Sequence, residues 1–128
     1  MANESTIWNF LKGKGISNYG IAGIMGNLYA ESGLLPNNLE NTYEKKLGMT
    51  DAQYTAAVDN GTYKNFVKDA AGYGLAQWTY YTRKQGLLDY VKSKGVSIGN
   101  LNAQLDYLYK ELSAMSGFAA SVKNATSV

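Results

Sequence analysis

The chain has 128 residues, with twelve basic and ten acidic side chains for a net charge of +2, and contains neither cysteine nor histidine. Disulfides, thiol nucleophiles, serine–histidine triads and most zinc sites are therefore excluded, so any catalysis has to use carboxylates, hydroxyls, tyrosines or lysines. The basic residues are scattered along the chain, which argues against nucleic-acid binding.

Length and composition predict one domain over residues 1–128, since 45% of the residues are apolar and 17% are charged. No apolar run is long enough to cross a membrane, and the start MANESTIWNF lacks the features of a signal peptide. If the protein acts outside a cell, we expect a larger polypeptide or a particle to deliver it. The lack of metal ligands predicts that no cofactor is required.

Two helices are predicted in the first third of the chain. Capping residues at 4–6 precede the apolar positions 7–11, and glycines at 13 and 15 end this helix. Ser17 is the predicted N-cap of the second helix, whose apolar residues form one face, and Gly33 is its predicted C-terminal glycine. Glycines within the second helix indicate that another element packs closely against it.

The remainder combines an irregular middle with two more helices. Asparagine and glycine interrupt residues 37–71, where a short helix is predicted to begin at Thr50. The segment GYGLAQW, residues 72–78, is typical of a tight turn that enters a short extended or helical piece. Helices are predicted over 82–94 and 101–112, and residues 116–128 could begin a further one. We therefore expect a mainly α fold with an irregular or small β middle region and a cleft beside it.

Glu31 is the candidate general acid, because it ends the second helix at the edge of the apolar face and is predicted to be half-buried. The helix dipole and burial both disfavour an ionised carboxylate at such a position. A glutamate held protonated is able to protonate the leaving oxygen of a glycosidic bond. The alternative is a solvent-facing glutamate at a frayed helix end.

Three sequence blocks together carry a family resemblance. GIMGNLYAESGLLPN at 23–37, followed by GYGLAQWT at 72–79 and TRKQGLL at 82–88, resembles the phage tail lysozyme family. The resemblance implies a lysozyme-like fold and cleavage of peptidoglycan glycan strands, with Glu31 as the catalytic acid. It implies a phage tail or virion-associated protein with other domains. It also implies a helix beyond residue 113, so we expect a chain that ends in NATSV to be truncated.

The GYGLAQW block resembles the glycine-leucine-glutamine signature that lines the cleft of goose-type lysozymes and lytic transglycosylases. It implies substrate contact by Tyr73 and Trp78 through stacking and by Gln77 through hydrogen bonds. Gly74 would form a turn or let a sugar approach the backbone. Two alternatives stay open, since Trp78 could belong to the core and Gln77 could bind backbone groups.

A second carboxylate is used by most glycosidases, and Asp69 is favoured because it stands just ahead of the GYGLAQW block, with Asp59 next. The remaining candidates are Glu40, Glu44 and Asp51. Related families contain members with one catalytic acid, so hydrolase and lytic transglycosylase both remain open. A glycan-binding module without turnover and a structural tail component are the alternatives from other functional classes.

Overall fold

The computed structural model describes residues 2–127 and is mainly helical, as the sequence predicts. In chain order its α-helices are α1 Ala2–Gly13, α2 Asn18–Ser32, α3 Asn41–Leu47, α4 Asp51–Asn60, α5 Tyr81–Lys94 and α6 Leu101–Ser113, followed by a short π-helix, Ala119–Lys123. Within the described residues, none of the helices has the length and apolar character needed to cross a bilayer.

The ends of α2 are those that the sequence predicts. The Ser17 hydroxyl oxygen accepts a hydrogen bond from the Gly20 amide at 3.1 Å, which satisfies one of the free N–H groups of the first turn. Gly33 ends the helix with φ of +63°, a left-handed conformation that favours glycine. The predicted caps of α1 are wrong, because that helix already begins at Ala2 and residues 4–6 lie inside its first turns.

The glycines of α2 differ in what they pack against. A side chain at Gly20 would collide with the carbonyl oxygen of Val122, and the Ser17 amide donates a hydrogen bond to the Lys123 carbonyl at 2.8 Å. The π-helix therefore packs closely on the start of α2, as expected. Apart from the backbone of α2 itself and the two adjoining residues, no atom of the described chain lies within 4 Å of a Cβ built at Gly23, so close packing does not explain that glycine.

Two short helices and one turn occupy the middle of the chain. The helix predicted near Thr50 is α4, which has a reciprocal capping box between Thr50 and Gln53. Helix α3 was not anticipated, because it buries no residue and so shows no apolar period in the sequence. Antiparallel bridges pair Tyr73 with Leu39 and with Trp78, which confirms a tight turn with a small amount of β pairing.

The core lies where α1, α2, α5 and α6 meet the middle segment. Helix α1 packs against α2 and α6, and α5 packs along α6. An aromatic group extends the core under the turn, since the rings of Tyr54, Phe66 and Tyr73 lie 5.3 to 6.1 Å apart. The turn that contains GYGLAQW is consequently supported from below by side chains of the core.

Gly20→Ala should destabilise the protein by about 1–3 kcal/mol, because the added methyl group overpacks the contact with Val122. Gly23→Ala is the matched control, and it should raise the free energy of unfolding by up to about 1 kcal/mol through helix propensity alone. Urea unfolding followed by circular dichroism measures both changes. Equal effects of the two substitutions would contradict this account of the packing.

Candidate functional site

Glu31 lies in the last turn of α2 with its side chain exposed. It borders a depression of about 190 Å³ whose wall also includes Leu28 of α2, Ala76 of the turn and Leu112 of α6. The prediction of half-burial is wrong. The buried position at this end of the helix belongs to Ser32, which is 3% exposed and donates its hydroxyl proton to the Leu28 carbonyl at 3.0 Å. Glu31 precedes Ser32 by one residue, and on a helix this places its side chain on a different face, away from the core.

Asn38 joins the Glu31 end of α2 to the GYGLAQW turn. Its side-chain amide donates to the Ser32 carbonyl at 2.9 Å. Its own carbonyl accepts hydrogen bonds from the Gln77 side chain at 2.8 Å and from the Gly74 amide at 2.9 Å. The structure therefore brings together the two blocks that are about forty residues apart in the sequence, and one asparagine that the sequence marks only as a loop residue makes the connection.

Gln77 and Gly74 shape the turn. The Gln77 side-chain nitrogen donates to the carbonyls of Asn38 and Gly74, so the predicted alternative of backbone binding describes its contacts. Gln77 has φ of +50° and Gly74 has φ of +84°, and a Cβ at Gly74 would lie 3.0 Å from the Gln104 amide. Both the positive φ and the close contact favour glycine at this position.

Tyr73 and Trp78 are 0% exposed. The Tyr73 hydroxyl shares a hydrogen bond with Thr55, and the Trp78 indole N–H donates to a Glu111 carboxylate oxygen at 2.9 Å. Neither ring offers a face to solvent, so a sugar could stack on either of them only if the core opened. The structure therefore places Trp78 in the core, which is the alternative that the sequence left open for this residue.

Gln104 of α6 is a buried residue of the site that sequence reasoning missed. Its amide nitrogen donates to the carbonyls of Pro36 at 2.6 Å and Ile98 at 2.8 Å, and its oxygen accepts from the Leu75 amide at 3.0 Å. A polar residue three positions after Leu101 lies on the apolar face of α6, which is the signal that could have identified it.

Asp69 lies in a buried hydrogen-bond network. Its side chain is 4% exposed and forms a 2.6 Å ion pair with Lys84, which is 0% exposed. The carboxylate also accepts hydrogen bonds from the hydroxyls of Tyr54 and Tyr63, both at 2.7 Å, and from the Ala71 amide at 2.9 Å. Lys84 donates a further hydrogen bond to the Ala71 carbonyl at 2.7 Å. The oxygens of Asp69 are thus occupied by four donors of the protein.

Burial shifts the titration of the groups around Asp69. Desolvation lowers the pKa of Lys84, and the hydrogen bond and charge of Asp69 oppose this effect. Desolvation and the hydrogen bond to Asp69 raise the pKa of Tyr54 and of Tyr63. Desolvation also raises the pKa of Tyr73. The raised pKa values favour neutral phenols in the folded chain, whereas the lowered pKa of Lys84 means that burial disfavours the charged form of its side chain.

The other candidate second carboxylates are also engaged by the protein. Glu40 accepts from the Gly72 amide at 3.0 Å, Asp51 from the Leu39 amide at 2.9 Å, and Asp59 from the Ile98 amide at 2.8 Å. A hydrogen bond with Asp51 raises the pKa of Glu44. Among the described residues, no three acidic side chains are grouped closely enough to hold a metal ion.

A mainly helical fold with one small bridged turn is consistent with the lysozyme-like class. The family model described as phage tail lysozyme matches residues 2–128, and the chain belongs to that family. No curated protein and no solved structure matches the chain. Membership indicates a phage lysozyme-like glycosidase whose substrate is bacterial peptidoglycan.

Asp69→Asn should lower the free energy of unfolding by about 3–5 kcal/mol, because it leaves the Lys84 ammonium without its counter-charge in the core. Arg83→Met is the control for an exposed ion pair, since Arg83 is 45% exposed where it binds Glu111. Its effect should stay within about 1 kcal/mol. Urea unfolding measures both, and a small effect of Asp69→Asn would contradict the structural role of the pair.

The protein should lose stability above about pH 10, the ordinary tyrosine pKa. Because the pKa values of Tyr54, Tyr63 and Tyr73 are raised on folding, the unfolded chain releases these protons first and alkali favours unfolding. The lowered pKa of Lys84 acts in the opposite sense, but it is one group against these three tyrosines and against Tyr90 and Tyr107, whose pKa values are also raised. Urea unfolding between about pH 8 and 11 measures the loss, and Tyr63→Phe should reduce it. A free energy that is constant over this range would refute the expectation.

Proposed function

We propose that the protein cleaves peptidoglycan glycan strands as a muramidase-type glycosidase in which Glu31 is the general acid. The observation that carries this proposal is the contrast between Glu31 and the other candidate acids. Glu31 is exposed beside a depression and belongs to neither ion pair of the described residues, whereas four of the five other candidates accept hydrogen bonds from backbone amides of the protein. A reactive acid has to be accessible to the bond that it protonates.

The reaction begins when the Glu31 carboxyl group transfers its proton to the glycosidic oxygen. The bond between that oxygen and the anomeric carbon breaks, and the leaving sugar departs as an alcohol. The carbonyl oxygen of the 2-acetamido group on the same sugar stabilises the positive anomeric carbon by bonding to it. The oxygen of a water or of the sugar's own 6-hydroxyl then bonds to the anomeric carbon as the bond to the acetamido oxygen breaks, and the Glu31 carboxylate takes the proton of the attacking group. Water gives a hydrolysed product, and the 6-hydroxyl gives an anhydro sugar.

This route needs no second carboxylate of the protein. The contacts of Asp69 support a mechanism in which Asp69 does not act as nucleophile or base. A nucleophile or base needs a free oxygen near the anomeric carbon. Asp69 has four donors of its own protein on its two oxygens and is almost completely buried. Its function in our proposal is to hold the chain that leads into the GYGLAQW turn.

The residues of the GYGLAQW block act in this proposal by positioning the acid. Asn38 ties the helix end to Gln77 and Gly74, and Gln104 holds the same turn through the Leu75 amide. Tyr73 and Trp78 support the turn from the core. A rigid frame of this kind keeps an exposed side chain within reach of a bound strand, which is the main contribution of the protein to such a reaction.

Glu31→Gln should lower the rate of peptidoglycan cleavage by about a hundredfold or more, because a glutamine cannot supply the proton. Glu4→Gln, at an exposed glutamate of α1, is the matched control and should keep wild-type activity. Mass spectrometry of the released fragments measures the rate and identifies the bond from the new chain ends. Reducing ends indicate hydrolysis, and anhydro ends indicate lytic transglycosylation.

The same experiment distinguishes the alternatives. Activity that survives Glu31→Gln in a folded protein would refute the role of Glu31. A wild-type chain that binds the wall and releases nothing would refute the glycosidase and favour a glycan-binding module. In a phage tail, either activity would be delivered by the larger particle to which the domain belongs.

A further inference from the structure

A second cavity lies between the segment before the GYGLAQW turn and the start of α5. It is lined by Val67, Lys68, Ala70, Thr79, Tyr80 and Tyr81, and its volume is about 630 Å³, against about 190 Å³ for the depression beside Glu31. None of the residues that the family resemblance marks as substrate contacts lies in its wall. We call it the tyrosine groove.

Two exposed aromatic rings form one side of the tyrosine groove. Tyr80 is 61% exposed and Tyr81 is 53% exposed, and their ring centroids are 4.8 Å apart at an interplanar angle of 42°. Four tyrosines of the described residues are exposed, and these two lie next to each other and present flat apolar faces with polar ends to solvent. Such faces suit the C–H surface of a pyranose ring, which is itself apolar on one side and polar at its edge.

The backbone at Ala70, one of the residues that line the groove, is held in a fixed conformation. Ala70 has φ of +60°, a left-handed conformation that a residue with a Cβ rarely adopts. It is kept there from both sides, because Lys84 binds the carboxylate of Asp69 and the carbonyl of Ala71. Thr79, another lining residue, donates its hydroxyl proton to the carbonyl of Gln77 at 2.9 Å. Strain that the surrounding structure maintains in this way is typical of a preformed binding site.

One charge lies at the groove. Lys68 is the charged residue of its wall, its side chain is exposed, and neither ion pair of the described residues includes it. An ammonium group beside an apolar aromatic surface complements a ligand that combines a sugar ring with a carboxylate. In peptidoglycan, that combination occurs where a peptide stem with free carboxylates is attached to a sugar of the glycan strand.

The groove is close to the candidate acid along the chain. Ala76 borders the depression beside Glu31 and Thr79 borders the groove. Their Cα atoms are three residues apart and therefore lie within about 11 Å of each other. The walls of the two cavities are therefore neighbours along the chain, and the inference below requires one strand to reach from one cavity to the other.

We infer that the tyrosine groove is a subsite for the stem-bearing sugar of peptidoglycan, with the sugar ring against Tyr80 and Tyr81 and a stem carboxylate at Lys68. This inference rests on the proposed function, since it places another part of the same substrate. It assigns substrate recognition to residues outside the GYGLAQW block. Tyr80 and Tyr81 would then contribute the affinity for any sugar of the strand, and Lys68 would contribute the preference for strands that retain their peptide.

Binding is tested in the Glu31→Gln background, so that turnover does not remove the substrate. The probes are intact peptidoglycan fragments and the same glycan fragments after an amidase has removed the stems. Tyr80→Ala should weaken binding to both probes by about tenfold, the effect of losing one aromatic anchor. Lys68→Gln should weaken binding to the stem-bearing fragments alone, and the loss should shrink at high salt.

Two control variants match these substitutions in residue type and exposure. Tyr19→Ala removes a tyrosine that is 51% exposed at the start of α2 and lies outside the groove. Lys92→Gln removes an exposed lysine in the last turn of α5, about 16 Å along the helix from Tyr81. Both should bind like the parent. In the active protein, Tyr80→Ala should raise KM and leave kcat within about twofold, because the ring does not contact the reacting bond.

The outcomes separate this inference from the proposed function. If groove variants bind both probes like the parent while Glu31→Gln abolishes cleavage, the subsite is refuted and the glycosidase stands. If the wild type binds through the groove and cleaves nothing, the glycosidase is refuted and the subsite stands. An equal loss for Lys68→Gln on both probes would refute the recognition of the stem. Circular dichroism melting confirms that each variant is folded.

Discussion

The buried ion pair between Lys84 and Asp69 is the constraint on which the site depends. Withdrawing an ammonium and a carboxylate from water costs several kcal/mol for each, and the cost is offset here by hydrogen bonds from Tyr54, Tyr63 and Ala71. The network takes groups from α4, from residues 63–71 and from α5. Those segments can separate only by leaving charge unpaired in apolar surroundings. The backbone that leads into the GYGLAQW turn is therefore held in one position.

Two side-chain amides complete the frame that the ion pair begins. Asn38 connects the end of α2 to the turn, and Gln104 connects the turn to α6 and to the chain around Pro36. The Asn38 side chain binds the Ser32 carbonyl while its main-chain carbonyl accepts from the turn, and the Gln104 side chain binds three backbone groups. Pairing these backbone groups removes a desolvation cost and locks the loop geometry. Acidic residues take the same role at other loops, where Glu40, Asp51 and Asp59 each accept a backbone N–H. Glu31 differs from them because its helix is held by this frame while its carboxylate is exposed.

The chemistry that we propose follows from the difference between Glu31, whose carboxylate is exposed, and the buried groups that hold the frame. An acid that has to meet a polymer must stay at the surface, while the groups that position it have to be buried to be rigid. The tyrosine groove has the same organisation, since its exposed rings and Lys68 stand on a backbone that the Lys84–Asp69 pair holds. Acid and groove are therefore two surfaces of one rigid frame, which suits a strand that binds across both.

The sequence by itself determined the mainly helical class, the ends of α2, the turn at 72–78 and the family, because apolar periods, caps and turn glycines act over a few residues. It predicted Glu31 as the acid, and that role remains a proposal. Only the tertiary structure decided that Glu31 is exposed, that Tyr73 and Trp78 are buried, and that Asp69 pairs with Lys84. Burial depends on which distant segments pack together, and no local pattern shows where Lys84 of α5 finds its counter-charge. The same reason hid Gln104, whose partners lie in segments as far away as residue 36.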